Sequence, residues 1–197
     1  MDMLEVMQKT EPYSAFNQDM PLDLQRRAKA LCQQYNTTGP EESERRSELL
    51  KQLFGDCHPL TFIETSFHCD YGFNIHTHGL TVVNYNCVIL DTSPVHIYEN
   101  AFIGPGVCIA CAGHPMDAAR RAQGIVTSAP VTIGKDVWIG ANAVICGGVT
   151  IGEGSVIGAG SVVTKDIPAG VVAAGVPCRV LRPAAKEDRT DEVRHLP

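Results

Sequence analysis

The sequence predicts a mainly β protein: a parallel β-helix of six-residue units, with an N-terminal helical cap and one extended loop. Three observations predict it. Ile133, Ile139, Ile145, Ile151, Ile157 and Val163 follow one another at intervals of six without a slip. A small residue stands directly after most of them: Gly134, Gly140, Cys146, Gly152 and Gly158. A polar stretch, "CAGHPMDAARRAQG", residues 111–124, interrupts the beat. A period of six fits neither a helix nor an ordinary alternating strand. It fits a solenoid in which each unit makes one short strand and one corner, and three units close a triangular coil.

The elements follow in order. Residues 21–54 read as two helices. Leu24, Ala28, Leu31 and Tyr35 recur on one helical face. "NTTG" then breaks the pattern, Pro40 suits the start of a second helix, and Gly55 suits its end. This gives a helical cap over 1–58, a β-helix over 59–183 with the loop inserted at about 111–130, and a polar tail at 184–197. Before the loop, Ile63, Cys69, Ile75, Thr81 and Cys87 hold the period of six, and so do Ile97, Ile103 and Ile109. The phase jumps between these two runs, which places a short insertion near Thr92–Pro94. The repeat region amounts to roughly five coils, stacked at the ~4.8 Å strand spacing.

Composition narrows the function classes. The net charge is −6 with no long basic run, so a nucleic-acid footprint is absent. No apolar stretch approaches the ~18–20 residues of a membrane span. The opening "MDMLEVMQKTEPYS" lacks the basic-then-apolar order of a secretory signal, which points to the cytoplasm. There the eight cysteines stay reduced, and Cys69, Cys87, Cys108, Cys111 and Cys146 read as small buried hydrophobes.

Such hexapeptides mark the left-handed β-helix. "WIGANAVICGGVTIGEGSVIGAGSVVTKDIP" followed by "VVAAGVPCRV", with "YGFNIH", "NYN", "GHP" and the N-terminal "YN", closely resembles the maltose and galactoside O-acetyltransferases. The resemblance runs from about Tyr13 to Arg182. It implies acetyl transfer from acetyl-CoA to a hydroxyl of a sugar or polyol, without a metal, in a homotrimer whose clefts lie between neighbouring prisms.

Alcohols are poor nucleophiles near neutral pH, so the reaction needs a base, and neutral histidine suits the task. The resemblance makes His114 that base and places Asn84 at the acceptor hydroxyl. It sets Trp138 beside the reacting groups and matches Asp19 to an acidic acceptor ligand. Ala141, Ala159, Thr164, Lys165, Arg179 and Arg182 fall on coenzyme A, the three cations on its phosphates. Where relatives carry an acidic acceptor ligand this chain has Thr92, with Asp91 adjacent. Asp70 stands where the galactoside enzyme has a serine, Val82 where it has a tyrosine, and Ala141 where it has another serine. Asp70 and Asp91 therefore join the acceptor candidates.

Two other readings of the same residues stand. Cys108, Cys111 and His114 spell half a zinc site, and His78 and His114 match the first interval of the gamma-class carbonic anhydrases. The third ligand position of that triad is Ala119. A non-catalytic solenoid would keep the beat but would need neither His114 nor the cationic cluster.

Overall fold

The computed structural model describes residues 3–7, 12–16 and 20–184. Asp19 and residues 185–197 lie outside the described residues. Three parallel walls form a triangular prism. Wall C, the longest, stacks Thr61–Ile63, Thr81–Val83, Ala101–Ile103, Trp138–Ile139, Val156–Ile157 and Val171–Ala174, and Arg179–Pro183 closes it as an antiparallel edge. Wall D stacks His68–Cys69, Val88–Leu90, Cys108–Ala110, Val144–Cys146 and Val162–Val163. Wall B stacks Ile75–Thr77, Val95–Ile97, Val131–Ile133 and Thr150–Ile151. The chain visits them in the order B, C, D, once per coil.

Like residues stack on like. Ile63, Val83, Ile103, Ile139, Ile157 and Ala173 form one inward column. Cys69, Ile89, Ile109, Ile145 and Val163 form another. Nearly all are fully buried. Branched side chains fill the narrow triangular core above the first coil, where Phe67 is buried, and each keeps its own height along the axis.

The glycines that follow the inward aliphatics are not there to turn the backbone at the corner. Their φ angles are not in the left-handed region. They are small because the next coil passes close: a Cβ on Gly140 would lie 2.6 Å from the Ala159 nitrogen. The left-handed corner residues come two positions after these glycines, at Asn142 and Gly160, with Asn86 and Gly106 in the same column below. Asparagine and glycine tolerate that conformation best.

The phase jump occurs twice, not once. Cys69 lies beside Ile89 and Ile89 beside Ile109, so each of the first two coils is 20 residues long, while Ile139 to Ile157 is 18. The surplus pairs of residues sit at the corners leaving wall D, in 70–74 and 91–94. The single expected break near Thr92–Pro94 is the second of these.

Helices α1 (Met3–Met7), α2 (Leu22–Thr37) and α3 (Ser43–Leu53) precede the prism. Pro40 lies before α3 rather than at its first position. Ala28, Leu31, Cys32 and Tyr35 of α2, with Leu49, Leu50 and Leu53 of α3, belong to the same apolar cluster as the β-helix interior. They therefore close the open lower end of the prism. Of the cysteines read as buried, Cys108 and Cys146 instead project outward from wall D and are half-buried.

The inward columns generate a prediction. Ile139→Ala leaves a void in a site with no freedom to collapse, so unfolding free energy should fall by about 2–5 kcal/mol in denaturant titration.

Candidate active site

The sequence-predicted residues gather on two edges of wall D. The edge between walls C and D carries Asn84 and, in the coils above and one residue further round the corner, Ala141 and Ala159. Their order is fixed by main-chain bonds: the Asn84 N–H donates to the Ile103 carbonyl (2.9 Å), Gly104 to Ile139 (2.8 Å), Gly140 to Ile157 (2.7 Å) and Gly158 to Ala173 (2.8 Å). Arg179, paired with Ala174, continues this edge upward. Trp138 stands beside it on the outer face of wall C, 57% exposed, between Phe102 and Val156. Arg182 lies two residues further along wall C, opposite Val172.

The edge between walls D and B carries the rest. Asp70 and Asp91 occupy the two oversized corners, Thr164 and Lys165 an upper corner, and the loop bearing His114 departs between them. Wall D, a three-residue strand about 10 Å long, separates the two edges. Within the chain, His114 and Asn84 thus fall on opposite sides of the wall.

The loop has its own architecture. Ala112–Gly113 pairs antiparallel with Ile125–Ser128, and Tyr13–Ser14 adds a third strand that the sequence reading missed. The Ala15 N–H donates to the Gly124 carbonyl at 2.8 Å. Helix α4 (Ala118–Ala122), capped by the Asp117 carboxylate, turns the loop back. His114 is exposed at the end of the first strand, its Nδ1 3.4 Å from the Ile125 carbonyl oxygen. A carbonyl only accepts, so this contact favours hydrogen on Nδ1 and leaves the Nε2 lone pair outward.

Asp70 is half-buried beneath this sheet. Burial pushes its carboxyl above the usual carboxylate range, against the pull of Lys29 on α2. Tyr13, raised by burial, also feels the Asp70 charge. Asp91 does not face the groove as expected. It is 0% exposed, and the 70–74 turn occupies its carboxylate. Burial pushes its pKa up to about 6, opposed by the N–H groups that bond it.

His76 and His78 belong to a stack on the outer face of wall B. His76 and His96 lie 4.8 Å apart, His96 and His78 5.3 Å, and His78 and Tyr98 4.7 Å. Among the described residues, no group of three His, Cys, Asp or Glu side chains could hold a metal ion. Nor is any described helix long and apolar enough to cross a membrane.

The burial of Asp91 carries a pH signature. Its folded-state value lies above that of an exposed aspartate, so the native state holds the extra proton. Its contribution to stability is present in acid and declines as pH rises through about 6. Compared with Asp91→Asn, the wild type should lose stability between about pH 4 and pH 6.5 in urea titrations. A constant difference across that window would contradict the assignment.

Comparison with known proteins places these features. Residues 130–165 match the family described as bacterial transferase hexapeptide (six repeats), and residues 7–58 match the maltose acetyltransferase hexapeptide capping motif. The galactoside O-acetyltransferase of Escherichia coli is 41% identical over 163 residues, covering 83% of this chain and 80% of that one. The crystal structure of a maltose O-acetyltransferase from Clostridium difficile 630 superposes with a TM-score of 0.90 at 41% identity, covering 94% of this chain and 99% of that one. A galactoside acetyltransferase in complex with coenzyme A also gives a TM-score of 0.90 at 41% identity, covering 95% and 94%. Capping motif and hexapeptide repeats thus both match, and the chain belongs to the maltose and galactoside O-acetyltransferase family of hexapeptide-repeat acyltransferases.

Proposed function

We propose that this chain transfers an acetyl group directly from acetyl-CoA to a hydroxyl of a sugar or related polyol, in the cytoplasm, at clefts between the protomers of a homotrimer. The observation that carries this reading is the division of the site between the two edges of wall D. A base on one edge and a donor groove on the other come together when the D–B edge of one protomer meets the C–D edge of the next.

The outer faces support such an assembly. Wall C presents Phe62, Val82, Phe102, Trp138, Val156 and Val172 in one register row. Wall D presents Val88, Leu90, Val144 and Val162, all half-buried. Wall B presents His76, His96 and Thr132. Two apolar faces and one polar face suit a prism with two neighbours, because extended apolar patches mark association surfaces.

In the cleft, the acceptor hydroxyl gives its proton to His114 Nε2 as its oxygen attacks the thioester carbonyl. A main-chain N–H of the glycine-rich edge meets the developing oxyanion. The tetrahedral species collapses, the C–S bond breaks, and the imidazolium returns the proton to the departing sulfur. Asn84 orients the acceptor, Trp138 walls the site, and Asp70 and Asp19 accept from sugar hydroxyls. Ala141 and Ala159 line the pantetheine arm. Thr164 and the cations Lys165, Arg179 and Arg182 hold the phosphate end.

Two measurements check this. His114→Ala should lower turnover by about 10²–10⁴, read as thiol release from acetyl-CoA, with donor affinity little changed. The second uses mixed trimers. His114→Ala and Asn84→Ala chains, each impaired alone, should regain activity when unfolded together and refolded. Some clefts then receive an intact imidazole from one chain and an intact asparagine from the other. No recovery in proven hybrids would place both residues in one protomer's site.

A further inference from the structure

We propose that Asp91 is a positioning residue for acceptor binding: its buried carboxylate shapes the 70–74 turn and so sets where Asp70 stands at the site edge. The inference rests on the reading that Asp70 contacts the acceptor.

The argument starts from the oversized coils. Two surplus residues at a corner bring N–H groups that have left the ladder, and buried N–H groups must find acceptors. The turn reverses through Gly72 (φ 77°). One coil above it, Asp91 turns inward to meet the loose donors. One carboxylate oxygen accepts from the Asp70 N–H at 3.0 Å and the Tyr71 N–H at 2.9 Å. The other accepts from the Asn74 N–H at 3.4 Å. The Asn74 side chain, also buried, donates back to the Asp91 carbonyl at 2.9 Å. The two corners are thus clamped reciprocally. Bonds from an ionised acceptor to main-chain N–H groups are among the stronger kinds.

The same corner reaches the base. Thr92 and Ser93 share hydrogen bonds with Ser128 (2.7 and 2.6 Å), and the Ser93 hydroxyl donates to the Met7 carbonyl at 3.0 Å. Ser128 ends the strand whose first residue, Ile125, meets His114. Residues 91–93 therefore tie the Asp70 turn to the His114 hairpin through one buried polar node. Asp91 has no exposed atom with which to touch a sugar, so its influence passes through Asp70.

A double-mutant cycle on the intact enzyme tests this, with thiol release followed against the best acceptor of a panel of sugars that includes maltose and methyl galactosides. Asp91→Ala should raise the acceptor KM by about tenfold, leave the acetyl-CoA KM within about twofold, and add nothing in an Asp70→Ala background. Asp91→Asn keeps the oxygen facing residues 70 and 71, so it should recover most of the loss; Asp91→Ser, too short to span both amides, carries the cycle if the alanine variant does not fold. Amide hydrogen exchange supplies a readout independent of turnover: the 70–74 amides should exchange faster in Asp91→Ala than in the wild type. Additive effects of the two alanines, a parallel rise in donor KM, or unchanged exchange at 70–74 would overturn the positioning role. An acceptor KM insensitive to Asp70→Ala would instead sink the reading of Asp70 as acceptor ligand, and this inference with it.

Discussion

Coil-over-coil stacking of inward aliphatic side chains is the constraint from which the rest follows. Ile103, Ile139 and Ile157 sit one above another because each coil returns its branched residue to the same wall. A register slip of one residue would turn an isoleucine outward and a polar neighbour inward, so the period cannot drift. Everything on the outside inherits that order. Gly104, Gly140 and Gly158 stand in line above Asn84 because Val83, Ile103, Ile139 and Ile157 are stacked beside them, and Ala141 and Ala159 follow one residue on. The helices obey the same constraint: α2 and α3 extend the core downward rather than forming a separate one.

Against so regular a column, function concentrates where the column departs from its rule. The 18-residue coil can hold no loop, so the loop leaves at a corner, and the N-terminal strand Tyr13–Ser14 secures it there. The two 20-residue coils cannot close their ladders at the D–B corner, and a buried carboxylate with a cluster of hydroxyls makes up the deficit. Both departures fall on one edge. Asp70 and His114, to which we assign acceptor binding and base catalysis, stand beside them.

The upper prism was legible in the sequence because the larger inward residue always takes the second inner position, Ile133 to Val163, while the first, from Val131 and Val137 to Ser155 and Ser161, carries smaller residues. The lower coils were less so, for a physical reason. Each strand there also buries two residues, but at Phe67/Cys69 and Ile75/Thr77 the larger one takes the first inner position, so two beats of six, two residues apart, compete. Ile75, Thr81 and Cys87 follow one beat while Thr77, Val83 and Ile89 follow the other, and the extra pair after Cys69 is hidden between them. His114 was legible as the histidine at the breach. The burial of Asp91 was not, since an aspartate between a strand and "TSP" reads as a solvated corner. Its partners are main-chain N–H groups, which leave no mark in side-chain spelling. The pairing of Tyr13–Ser14 with the loop was equally hidden, because two-residue strands carry no periodicity.

The central claim is that acetyl transfer needs the D–B edge of one protomer against the C–D edge of another. A crystal structure of the protein with coenzyme A bound tests it most directly. The account predicts the coenzyme thiol beside Ala141 of one protomer and within about 4 Å of the His114 imidazole contributed by its neighbour. A thiol lodged away from the C–D edge, or one approached by no imidazole in any assembly of the chain, would contradict it.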